Sequence, residues 1–174
     1  MKNVNYLLLL ICVTGCVRHV PLHGKYPVGP VYGQTEKSVD IVWNKLIDLI
    51  TDEGLDLKFI DKSSGLAMSD ELSFYTTQTT ENKKGKPVKP DAYIITSRTD
   101  GVLPELFRVS QLSAKWSVVL RPLATGGTEI KAALANIEAK DDVIANRHTG
   151  GKVTTRFQAY SLQNFEKWLI EKLK

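Results

Sequence analysis

Three histidines, three acidic pairs, two glycine pairs and one cluster of four lysines are the residues whose types and spacing bear on chemistry. His19 and His23 stand four apart, a spacing that on a helix would aim two imidazoles at one metal ion. Pro21 and Gly24 oppose a helix there, so the pair reads as two solvated side chains and no metal site is expected. His148, in Asn146-Arg147-His148-Thr149-Gly150-Gly151, is a loop imidazole that would need a nucleophile to activate. No serine-centred G-x-S-x-G elbow is present, so it too reads as solvated. Asp52-Glu53, Asp70-Glu71 and Asp141-Asp142 are each adjacent in sequence and beside a turn. Paired catalytic carboxylates must instead face one another across a cleft. Gly126-Gly127 and Gly150-Gly151 lack the spacing of a phosphate loop, and no EF-hand or zinc pattern appears. The expectation is a protein that is not an enzyme and needs no cofactor.

Lys83, Lys84, Lys86 and Lys89 place four cations within seven residues. They form a possible interaction surface for anionic headgroups or an acidic partner, each lysine contributing at most about 1 kcal/mol beside a charged membrane. Glu81 and Asp91 dilute the cluster, and a soluble hairpin tip is its plainer reading. Across the chain, 23 Lys and Arg face 19 Asp and Glu, an excess too mild to indicate nucleic acid.

The start of the chain carries a different signal. Lys2 is followed by the apolar run Leu7 to Val13 and then by Thr14-Gly15-Cys16. A basic end, a short apolar core and a small-residue exit form the layout of a secretory signal, and the run is too short to cross a bilayer. Val13-Thr14-Gly15-Cys16 resembles the lipobox of bacterial lipoproteins. That resemblance implies a signal peptide over 1–15, lipid on the Cys16 thiol, and a membrane as the first partner. Cys12 would leave with the leader, so the mature fold would have neither a free thiol nor a disulfide. Val17 stands where inner-membrane lipoproteins of enteric bacteria carry Asp. The resemblance then favours the outer membrane, facing the periplasm, in a Gram-negative host.

The elements that would position these groups follow from periodicity. Residues 16–37, with Pro21, Pro27, Pro30, Gly24, Gly29 and Gly33, read as a flexible tether in which Val28 to Tyr32 has strand character. Residues 38–174 read as one domain. Ser38 to about Glu53 has helical apolar spacing at Val42, Leu46, Leu49 and Ile50, with Gly54 placed to cap it. Leu55, Leu57 and Phe59 alternate with charged residues and predict an inward strand face. Asp61 to Gly65 predicts a turn, and Leu66 to Phe74 a partner strand with Leu66, Met68, Leu72 and Phe74 inward and a bulge near Asp70-Glu71. Residues 75–90 read as a long, mobile hairpin loop, Ala92 to Arg98 as a strand, and 99–113 as unassigned. Lys115 to Leu123 and Thr128 to Ile137 read as strands joined at Gly126-Gly127, with Ile130, Ala132, Leu134 and Asn136 on one face. A loop over about 139–152 then leads to a long helix over about 154–173, carrying Phe157, Tyr160, Phe165 and Trp168. The expected class is α+β, a single antiparallel β-sheet with both helices packed on one face.

Val42-Trp43-Asn44-Lys45-Leu46, Gly54-Leu55-Asp56-Leu57 and Asp61-Lys62-Ser63-Ser64-Gly65-Leu66 resemble the opening of helix-grip domains in BamC-type outer-membrane lipoproteins. The resemblance covers about 30 of 174 residues, and this chain has room for one such domain where BamC has two. It implies a non-catalytic accessory protein with an envelope protein as partner. The alternative from another class is a carrier of a small molecule or lipid, with an apolar cavity between helix and sheet.

Overall fold

The protein is described by a computed structural model covering residues 18–100, 109–146 and 151–174. Cys16, its lipobox and His148 lie outside the described residues. In chain order the elements are β1 (Arg18–Val20), β2 (Val31–Thr35), α1 (Val39–Asp52), β3 (Phe59–Asp61), β4 (Leu66–Met68), β5 (Leu72–Ser73), β6 (Gln78–Thr79), β7 (Ile94–Thr96), β8 (Arg98–Asp100), β9 (Gln111–Pro122), β10 (Thr128–Asn146), β11 (Gly151–Phe157), β12 (Ala159–Ser161) and α2 (Asn164–Leu173). The class is α+β. The strands do not form the single sheet expected. Among the described residues they form a seven-stranded sheet, β11-β10-β9-β4-β3 with β2 on β10 and β5 on β9, a pair β1-β8, and a three-stranded β12-β7-β6. All pairings are antiparallel except β6 with β7.

The long hairpin β9-β10 is the frame. Strict alternation along β9 buries Leu112, Ala114, Trp116, Val118 and Leu120. α1 packs on β9, α2 on β10 and β2, and the helices touch each other. Val42 and Leu46 of α1 meet Leu169 and Leu173 of α2 in the same core as Trp116, Val118, Ile130 and Ala132. Each fully buried leucine there contributes about 1.5–3 kcal/mol. Trp116 Nε1 is buried with no hydrogen-bond partner among the described residues.

The first helix matches its local signals. Gly54 takes φ +61°, Leu55 N–H donates to Ile50 O at 2.9 Å and Gly54 N–H to Thr51 O at 3.4 Å. That is the left-handed closure in which a residue past the helix turns back on its last carbonyls. The strands that follow are shorter than expected; in β3 both Phe59 and Ile60 are exposed, and in β4 the expected face is inverted. Leu57 and Phe59 are 38% and 48% exposed, while Ala67, between half-buried Leu66 and Met68, is the inward residue of β4. The neighbour sets this parity, because Ala67 pairs with Val118, which already faces the core.

β10 runs nine residues beyond its predicted end and replaces part of the expected loop. Between Ala135 and Glu138 its register against β9 shifts, and Asn136 there has φ +50°. One extra residue flips the alternation, so Ile130 and Ala132 are buried before the bulge and Ala139 and Asp141 after it. Asn136 therefore does not share the face of Ile130, and it lies exposed. Asn136→Val should destabilise by about 1–2 kcal/mol, because a β-branched residue resists the left-handed region. Asn136→Gly should cost about 0.5 kcal/mol or less. Urea midpoints check the ranking, and equal losses for the two variants would contradict it.

The second helix begins ten residues later than expected. Val153-Thr154-Thr155 favours extended chain, and 151–157 pairs with β10. Phe157 is buried against the His19 ring at 5.6 Å, while Tyr160 is exposed and stacks on Tyr26. Their spacing to Phe165 imitated a helical stripe that the backbone does not make.

Candidate interaction surface

The lysine cluster sits on a compact hairpin rather than a long loop. Asn82 organises its tip: Asn82 Oδ1 accepts from Lys84 N–H at 2.8 Å and Lys86 N–H at 3.2 Å, and Asn82 N–H donates to Lys86 O at 2.8 Å. Glu81 bridges Pro87, Val88 N–H bonds Thr80 O, and Lys89 N–H bonds Thr79 Oγ1. Lys83, Lys84, Lys86 and Lys89 all point to solvent, and none makes an ion pair among the described residues.

Glu81, one residue before that tip, is 7% exposed and holds the N-terminal segment. Its carboxylate accepts from His23 N–H at 2.8 Å, Gly24 N–H at 2.7 Å and the Tyr26 hydroxyl at 2.6 Å. Burial alone would raise the Glu81 carboxyl. The donors from His23, Tyr26 and Gly24 outweigh it and hold the group below the usual glutamate range. The Tyr26 hydroxyl is pushed up, first by its own burial and then by Glu81. Gly24 is required by contact, since a Cβ would lie 2.5 Å from Gly85 O.

The segment expected as a flexible tether is therefore part of the fold. β1 pairs with β8, Leu22 N–H donates to Gln158 Oε1, and β2 adds to the edge of β10. His19 Nε2 lies 3.1 Å from Ser97 Oγ, a distance suited to a base and a nucleophile. Ser97 is buried and already accepts from Gln158 N–H, and among the described residues no carboxylate orients the imidazole. The pair fastens β1 instead. His23 lines a cleft of about 220 Å³ between strap and hairpin, together with Leu22, Glu81, Lys83 and Arg98. Among the described residues no group of three metal-ligating side chains assembles.

A second surface is an aromatic cleft. Phe74, Tyr93 and Phe165 stand in T-shaped edge contact with one another and Trp168 stacks on Phe165, with centroids 5.4 to 6.5 Å apart. With Leu55 and Leu72 they line an open cleft of about 330 Å³. Phe165 is core, as its helical stripe implies, and half-buried Trp168 forms the cleft wall. Compared with protein-family models and with curated proteins, the sequence matches none.

Sequence reading found the lysines and missed Glu81, which it treated as a charge that weakens their patch. No local signal marks it, because its three donors lie 55 to 58 residues away.

Proposed function

We propose that the protein is a lipid-anchored lipoprotein of the cell envelope that acts by binding, as an accessory to an envelope protein partner, rather than by catalysis. The observation that carries this reading is the junction of leader and fold. The lipobox-like Val13-Thr14-Gly15-Cys16 ends two positions ahead of Arg18, so cleavage after Gly15 would keep every described strand and helix in the mature chain. The segments 42–46, 54–57 and 61–66, whose sequence resembles BamC-type domains, support an accessory role. Val17 supports the outer membrane, facing the periplasm, in a Gram-negative host. Among the described residues no helix is long and apolar enough to cross a membrane.

Expression of the full-length gene in a bacterium, with intact mass and membrane partition recorded beside Cys16→Ala, tests the anchor. The expected mass is that of residues 16–174 plus acyl groups, with membrane association lost in the variant. An unmodified chain that partitions equally with and without Cys16 would sink the proposal.

One observation favours a second reading, the carrier. The aromatic cleft reaches the lower end of the size of small-molecule sites, about 300 Å³. Trp43 and Trp116 are buried, so a fluorescence change on adding an apolar probe would report chiefly Trp168. A saturable change that is lost when Leu55→Glu alters the cleft wall, with the Trp168 reporter left in place, would favour a carrier.

A further inference from the structure

We infer that the hairpin bearing Lys83, Lys84, Lys86 and Lys89 is a docking surface for the anionic phospholipid headgroups of the membrane that holds the anchor. This rests on the lipoprotein reading above. With a flexible tether over 16–37 the domain would roam up to about 75 Å from Cys16, at up to ~3.6 Å per residue. The strap removes that freedom. Chain pairing begins at Arg18, two residues after Cys16, a span of about 7 Å at most. His23 and Gly24, which bond Glu81 at the base of the hairpin, are at most about 25–30 Å of chain from the lipid. The element that carries the lysines is thus bonded to the element that carries the lipid.

Charge fits the same partner. Lys25 on the strap is exposed and follows Gly24, which lies against Gly85 of the hairpin, and Arg98 borders the cleft between strap and hairpin. These six cations face three acids, Glu81, Asp91 and Asp100. Glu81 is buried under its three donors, and Asp100 pairs with Arg98 at 3.4 Å. The four lysine ammonium groups make no ion pair among the described residues, and they outnumber the one remaining exposed acid, Asp91. Val88, 59% exposed between Lys86 and Lys89, adds an apolar contact at the same tip. One lipidated residue plus a polybasic patch is a two-signal attachment, in which charge reinforces acyl chains and responds to salt within a Debye length of about 8–10 Å.

The test uses the full chain carrying Lys84→Cys, expressed with its leader. A dye on that thiol is followed after reconstitution into phosphatidylcholine vesicles with or without phosphatidylglycerol, both bearing a headgroup quencher. The expected result is strong quenching only with phosphatidylglycerol, relieved by about 1 M salt, where screening shortens to roughly 3 Å. Adding Lys83→Glu, Lys86→Glu and Lys89→Glu should abolish the quenching while the protein stays vesicle-bound. Acylated, vesicle-bound protein with an unquenched dye overturns the docking and leaves the anchor standing. Quenching that ignores lipid charge or the triple reversal also overturns it. A dye shielded only in native envelope fractions, and not in vesicles, assigns the patch to an acidic protein instead. Protein without acyl mass fails the lipoprotein reading and the docking together, and the mass spectrum separates that case from the others.

Discussion

Glu81→Ala should release the strap from the hairpin and raise the opening of residues 23–26 by about 1.5–3 kcal/mol, the usual worth of hydrogen bonds to a charged acceptor. Three donors lose one carboxylate: the amides of His23 and Gly24 and the hydroxyl of Tyr26. Water replaces part of the loss, because the site lies at the edge of a cleft. Amide exchange at His23 and Gly24 should accelerate by one to two orders of magnitude, since about 1.4 kcal/mol is tenfold, with the core around Trp116 unchanged. Unaltered exchange would show that β1 and the Gln158 contact hold the strap alone.

The same site predicts a response to pH. Glu81 titrates below the usual glutamate value when folded, so its contribution is complete above about 4.3 and is lost as pH falls through the depressed folded value. Tyr26 titrates above its usual value when folded, so its contribution is complete below about 10 and is lost on rising through the folded value. The strap should be tightest between these limits. Glu81→Gln should erase the acid limb of the exchange profile, and an acid limb that persists in that variant would exclude Glu81 as its source.

The second large effect lies in the core. Glu166→Ala should destabilise the protein by about 2–4 kcal/mol, read as a shift of the urea midpoint. Glu166, 1% exposed in the first turn of α2, accepts from Ser161 Oγ at 2.8 Å and from Leu134 N–H at 3.2 Å. Leu134 sits where, among the described residues, no strand pairs with one edge of β10: β2 stops pairing at Ala132 and β11 starts at Ala139. Alanine would strand that amide in the interior, and the unmet donor accounts for most of the cost. Glu166→Gln keeps a carbonyl oxygen for Leu134 N–H, so it should cost about 1 kcal/mol. A Gln variant as damaged as Ala would mean that charge, not acceptance, is what the site needs.

The legible parts of the fold are those whose causes are local. The apolar run through Ile50 and the left-handed Gly54 define α1 from its own sequence, while Ser38 stands at the N-cap without a side-chain capping bond. Alternation along 115–120 marks β9, and Gly126-Gly127 marks its return. The lysine cluster is equally local, being a matter of composition, and the lipobox-like tetrapeptide is read from sequence alone. The tertiary structure decided what depends on distant partners. The Asn136 bulge reverses the face of β10, and β9 inverts β4 by placing Ala67 opposite Val118. Residues 151–161 are strands because β10 and β7 offer them free edges, although their aromatics have helical spacing. The 18–37 segment reads as a tether because proline and glycine oppose regular structure. It is fastened because Glu81, 58 residues past His23, offers acceptors that outweigh the entropy of an ordered chain.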